Sequence, residues 1–147
     1  MIVASPPSLH VAEPPAQYLL RPPIVVDCSA LAGILFQEEW KALGEQRIAQ
    51  RDLHAPYLLQ AEFANVAVKK AKQGAALAAR EGVEQFSQTD IEFHRINVEQ
   101  TVALAQQYGL SAYDAAYLWL AADLKCPLAT FDDKLAAAAK AHLAGLP

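Results

Sequence analysis

Cysteine is scarce in this 147-residue chain, and the two present, Cys28 and Cys126, have neither CxxC nor His-linked spacing. A zinc site built on them would need about four such ligands, so it is excluded, and both are expected as small core thiols. No apolar run is long enough to cross a bilayer, so no membrane association is expected. The N-terminus lacks a basic patch followed by a long apolar block, which argues against a signal peptide and for a cytoplasmic location. Positive charge is also short, with 12 Lys and Arg against 16 Asp and Glu. A net charge of −4 does not suggest a large nucleic-acid surface, although it permits a local one. Internal repeats are absent.

What the chain does have is apolar content, 54 % of its residues, enough for one folded domain with a substantial core. Residues 1–23 stand apart, holding six of the nine prolines as Pro6-Pro7, Pro14-Pro15 and Pro22-Pro23. Paired prolines remove backbone donors and favour extended chain. This segment reads as an arm or disordered extension, with docking through Tyr18, Leu19 and Leu20 or a misassigned start codon as alternatives. Residues 24–147 form the domain proper.

Within it, IVVDCS (Ile24–Ser29) is a β-branched run ending at Asp27, the pattern of a buried strand. One or two helices follow, then a weak strand-like run around LHAP. Pro56 is expected to open a helix that stops at Gly74, and another covers about 75–88. IEFHRIN alternates like a strand, and VEQTVALAQQYGL is an amphipathic helix. The helix of LSAYDAAYLWLAADL, the strand PLATF and the helix DDKLAAAAKAHL complete the chain. Strands alternating with helices imply an α/β fold with a mostly parallel sheet covered on both faces. In such a fold functional groups collect at the carboxyl ends of the strands.

Most charged residues lie where a solvated helix face puts them, Lys69, Lys70, Lys72, Arg80, Glu81 and Glu84 among them. Four acids do not. Asp27 ends an apolar strand just before Ser29, which can cap the next helix; taken alone, Asp27 is first read as a helix-start carboxylate. Glu62 interrupts an apolar face made by Leu58, Leu59 and Val66, with Asn65 beside it; a rim position reaching solvent is the ordinary alternative. Asp114 is the only charged residue between Glu99 and Asp123. Ser111 three residues earlier makes it close to a capping box, which accounts for the acid without chemistry. Asp132 and Asp133 follow the strand LATF, and two acids exceed what capping requires; Asp132 is the favoured functional residue and Asp133 is expected to face solvent. Four carboxylates at one sheet edge would repel one another and raise each other's pKa. A hard divalent cation such as Mg²⁺ or Mn²⁺ resolves that conflict, and phosphodiester hydrolysis by an ion-activated water is the chemistry that such a cluster supports. The four histidines, His10, His54, His94 and His142, share no spacing and suggest no role.

Taken in order, VVDCSAL, APYLLQAEFANV, LSAYDAAYLWLA and LATFDDKLAAAA resemble the motifs of PIN-domain ribonucleases, specifically the VapC-type toxins of bacterial toxin–antitoxin pairs. The likeness runs from Ile24 to about Ala139. It implies a three-layer α/β/α fold and makes Asp27, Glu62, Asp114 and Asp132 an acidic quartet binding Mg²⁺ or Mn²⁺. Ser29 and Thr130 fall on the family's hydroxyl positions and Asn65 on its helix amide. It also implies RNA as substrate, a small antitoxin as partner and a homodimer. The proline-rich arm departs from the family pattern, and the chain stops at HLAGLP, so the usual final edge strand is expected to be missing. RNA contact would then fall to local basic clusters, Lys69, Lys70 and Lys72 or Lys41 and Arg47. A haloacid-dehalogenase-like phosphatase would need a second acid where Ser29 stands, and a receiver-type domain would need paired acids after the first strand. A non-catalytic RNA-binding module is the remaining alternative.

Overall fold

The computed structural model describes residues 6–14, 21–36 and 38–147. Tyr18, Leu19 and Leu20 lie outside them, as does the side chain of Arg47. The elements run β1 (His10–Ala12), β2 (Pro23–Val26), α1 (Cys28–Phe36), α2 (Glu38–Ile48), β3 (Asp52–Pro56) and α3 (Leu58–Lys72). Then come α4 (Ala76–Gln88), β4 (Ile91–His94), α5 (Val98–Tyr108), α6 (Ala112–Leu124), β5 (Leu128–Thr130) and α7 (Asp133–Ala144). Among the described residues, no helix is long and apolar enough to cross a membrane.

The five strands form one sheet in the order β1-β5-β2-β3-β4. Strands β5, β2, β3 and β4 are parallel, and β1 joins β5 antiparallel. Because side chains alternate across a strand, β2 feeds both faces. Val25 packs with Leu128 and with Tyr117, Leu118 and Leu120 of α6. Ile24 and Val26 pack with Ala129, Ala30, Ile48 and Leu53. Both faces are therefore covered by apolar side chains, which is why the middle of the sheet reads as an unbroken IVV run rather than an alternating one.

Local chemistry sets the helix ends. Asn97 accepts a hydrogen bond from the Gln100 amide at 2.9 Å and starts α5, and Gly109, with φ of 64°, ends it in the left-handed conformation glycine tolerates best. Packing explains Gly33, since a Cβ there would lie 2.6 Å from the Phe131 ring.

Two expectations change. Pro56 does not open a helix; it is the last residue of β3, and α3 begins at Leu58. The restriction that proline imposes suits an extended strand end as well as a first helical turn. The arm, expected as an extension outside the fold, supplies β1 through His10–Ala12. Ala12 is buried, and His10 Nε2 lies 2.7 Å from Asp133 Oδ1 at the start of α7. Among the described residues no strand follows α7, and β1 occupies the edge that β5 would otherwise expose.

Removal of residues 1–14 uncovers that edge. The truncated protein is expected to lose about 1–3 kcal/mol, from the lost burial around Val11 and Ala12, and to self-associate as concentration rises. Denaturant unfolding and light scattering check this. A truncation as stable and as monodisperse as the full chain would show that β1 contributes nothing.

Candidate active site

Asp27 follows β2 directly and is 5 % exposed. Its Oδ1 accepts from the Ala30 amide at 2.8 Å and from Ser29 Oγ at 2.7 Å. Its Oδ2 accepts a short hydrogen bond from Thr130 Oγ1 at the end of β5. Asp27 thus caps α1 itself, and Ser29 does not. Ser29 lies inside the helix, where its hydroxyl also accepts from the Phe131 amide at 3.0 Å. Thr130, fully buried, accepts in turn from the Asp132 amide at 3.0 Å. The two hydroxyls tie the ends of β2 and β5 together around one carboxylate.

Asp132 is exposed and caps α7 through the Leu135 amide, 2.7 Å from Oδ1. Asp114 is half-buried in the first turn of α6, where its amide donates to Ser111 Oγ at 3.1 Å. Glu62 is half-buried in α3, and its Oε1 accepts from the Tyr117 hydroxyl at 2.5 Å. Asn65 is exposed one turn further along α3. Asp133, the neighbouring acid, is 91 % exposed and engages His10 rather than the other acids. Lys69 and Lys72 are exposed in the last turn of α3, with Lys70 partly covered between them and 5.5 Å above the Phe36 ring. Lys70 also shares a surface groove with Ser29, Gly33 and Phe131.

Electrostatics links the four acids. Burial pushes Asp27 up to about 6, against the lowering effect of its three hydrogen bonds, and Asp114 pushes it further. Burial also raises Glu62, opposed by the Tyr117 hydroxyl and reinforced by Asp114. Asp114 is raised by burial and by Asp132, with Ser111 and Lys134 pulling the other way. Asp114 is therefore the carboxylate through which the others feel one another. Among the described residues, no Lys or Arg forms an ion pair with any of the four. A set of oxygen-only donors, with Asp27, Glu62 and Asp114 raised in pKa and none of the four ion-paired to a Lys or Arg, fits a hard divalent ion.

Tyr117 is not singled out by the sequence. A buried tyrosine needs an acceptor for its hydroxyl, and its place one turn after Asp114 on α6 was the available signal. Cys28 is close enough to the acids that burial, Glu62 and Asp27 push its thiol up to about 12. Cys126 is buried and likewise pushed to about 12, so both thiols stay protonated and unreactive. The histidines do not all lie apart: His54 Nδ1 is 2.8 Å from His94 Nε2, brought there by the pairing of β3 with β4.

Comparison with known proteins bears on the family and the fold. Residues 24–141 match the family model of the PIN domain. The chain is 32 % identical over 120 residues to "Ribonuclease VapC3" of Pyrobaculum aerophilum, a match covering 77 % of this chain and 92 % of the relative. It is 34 % identical over 119 residues to "VapC ribonuclease Mb0985" of Mycobacterium bovis, covering 76 % and 87 %. The crystal structure of PAE2754 from Pyrobaculum aerophilum superposes with a TM-score of 0.61 at 26 % identity, covering 80 % of this chain and 79 % of that one.

The raised Asp27 predicts the direction of pH dependence without metal. The folded protein keeps the Asp27 proton up to about pH 6, whereas the unfolded chain releases it near 3.8. Between those values the folded state binds more protons, so stability falls as pH rises through that window. In EDTA, unfolding at neutral pH is expected to cost about 2 kcal/mol less than at about pH 4.5 on account of this group. Chemical denaturation across that range measures it. Stability that rises with pH through the window in EDTA would contradict the placement of Asp27.

Proposed function

Since the chain belongs to the PIN-domain family, among its VapC-type ribonucleases, we propose that it is a metal-dependent endoribonuclease and the toxin of a toxin–antitoxin pair. The observation that carries this reading is the coupling of Asp27, Glu62 and Asp132 to Asp114 through charge, with no Lys or Arg ion-paired to any of the four among the described residues. No three of their carboxylates close to within 4.8 Å of one another, so an ion would draw them together. Asp27, Glu62, Asp114 and Asp132 are the residues that would hold Mg²⁺ or Mn²⁺. When bound, the ion supplies an activated water and stabilises charge developing on the phosphodiester oxygens.

The residues of the chain do the rest. Asp27 is held in one orientation by Ser29, Thr130 and the Ala30 amide, so its carboxylate enters the site without a choice of rotamer. Tyr117 fixes Glu62 in the same way. Ser29 and Thr130 act as positioning residues, their hydroxyls being occupied by Asp27 and by the Phe131 and Asp132 amides. That occupation also argues against the phosphatase alternative, in which the position of Ser29 would act as general acid. No side chain is asked to attack phosphorus. The exposed cations at the end of α3, with Lys70 in the groove beside Ser29, offer contacts for an RNA backbone. A small antitoxin protein as neutralising partner, a homodimer as the working form and a cytoplasmic location complete the proposal. Asn65, on the exposed side of α3, is assigned to the rim of the substrate groove.

Purified, antitoxin-free protein is expected to cleave RNA with Mg²⁺ or Mn²⁺ and to stop in EDTA. Asp27→Asn and Asp114→Asn should each lower the rate by at least about 100-fold. Cleavage that persists in both variants would overturn the assignment. RNA retention without cutting would point instead to a binding module, and phosphate release from small monoesters to a phosphatase.

A further inference from the structure

Away from the four acids, β3 and β4 bring together three metal-ligating side chains. In the parallel register His54 lies opposite Glu92, and His94 lies two residues beyond Glu92. Alternation puts all three on one face of the sheet, the face that also carries Val25, while Leu53, Ala55, Ile91 and Phe93 point to the other. The ligating atoms of the three all lie within 4.8 Å of one another. His54 Nδ1 is 2.8 Å from His94 Nε2 and 3.6 Å from Glu92 Oε2.

These distances can be set against a known coordination sphere. A tetrahedral zinc with ligands at about 2.0–2.1 Å places neighbouring ligand atoms about 3.3 Å apart. The observed pair of distances brackets that value, so the imidazoles need open by only about half an ångström to accept the ion. His54 is largely buried, with 12 % of its side chain exposed, and Glu92 is open to solvent at 69 %. Burial holds His54 below its ordinary pKa, which keeps its ring neutral and able to coordinate at neutral pH.

We propose that His54, Glu92 and His94 form a second cation site, one for a zinc-class transition ion, distinct from the carboxylate quartet. Two imidazoles and one carboxylate suit zinc or its neighbours and are poor ligands for Mg²⁺, which demands oxygen. Binding needs His54 protonated on Nε2 and His94 on Nδ1, leaving the two facing nitrogens free. The three side chains leave one position of a tetrahedral ion open to water. The ion would pin β4, which among the described strands is at the edge beside β3, at its carboxyl end. That end is also where the Tyr57 amide donates to the His94 carbonyl at 3.2 Å and α3 sets out toward Glu62. The site thus reinforces the departure of the helix that delivers one of the four acids.

The test is calorimetric titration of the full chain with Zn²⁺ in excess Mg²⁺, which occupies hard oxygen sites without competing for imidazole. One equivalent of zinc per chain is expected. Affinity should fall by more than about 100-fold in His94→Gln, by about 10-fold in Glu92→Gln, and should be unchanged in Asp114→Asn. Histidine ring NMR of the unaltered protein gives a readout independent of variant folding: His54 and His94 should shift with zinc, and His10 and His142 should not. Absence of zinc uptake, uptake unaffected in His94→Gln and Glu92→Gln, or loss of uptake in Asp114→Asn would each overturn the proposal.

Discussion

The carboxylate of Asp27 joins three parts of the molecule that are remote in sequence. Its two oxygens take hydrogen bonds from the first turn of α1 and from Thr130 at the end of β5, while its own backbone continues β2. Ser29 and Thr130 extend the joint to the chain that carries Asp132. The parallel pairing of β2 with β5 therefore ends in a network in which a charged group, not an apolar one, sets the geometry. Such a network is stable only if its polar members are satisfied, and here each oxygen has a donor.

Satisfaction by hydrogen bonds does not remove the cost of taking the charge out of water. Burial outweighs three donors at Asp27, and the remaining acids compound the effect through Asp114. Lys134 relieves Asp114 only through space, without an ion pair, and the proposed divalent cation would be the partner these coupled carboxylates lack. In the proposed metal-bound form, binding a divalent ion would be coupled to relief of repulsion that the fold has already fixed. Positioning residues matter for the same reason. Tyr117 keeps Glu62 turned toward the site at a point where free rotation would let the carboxylate escape into solvent.

Much of this was legible in the sequence because it rests on local pattern. The β-branched run ending at Asp27, the lone acid in the apolar helix of Asp114 and the paired acids after LATF each break a periodicity that can be counted. Their convergence follows from strand ends sharing one edge of an α/β sheet. What could not be read depends on register. His54 and His94 are forty residues apart with no common spacing, and only the pairing of β3 with β4 puts their rings in contact. The strand at His10–Ala12 was hidden by its proline-rich surroundings, since three residues form a strand only because β5 offers an edge. Pro56 misled for a different reason: its fixed φ serves a strand end and a helix start alike, and composition does not choose between them. Ser29 looked like a cap because its type and position suited one; the neighbouring Asp27 took that role and left the hydroxyl to bridge two strands.

The proposed divalent-cation site depends on Asp114 coupling the other three carboxylates. Manganese uptake by RNA-free protein, followed by the loss of the free-ion resonance in electron paramagnetic resonance, tests it most directly. Uptake is expected at about pH 7.5, weakening as pH falls through about 6, where Asp27 takes up its proton, and at least about tenfold weaker in Asp114→Asn. Uptake that is indifferent to Asp114→Asn, or unchanged as the pH falls through that range, would contradict it.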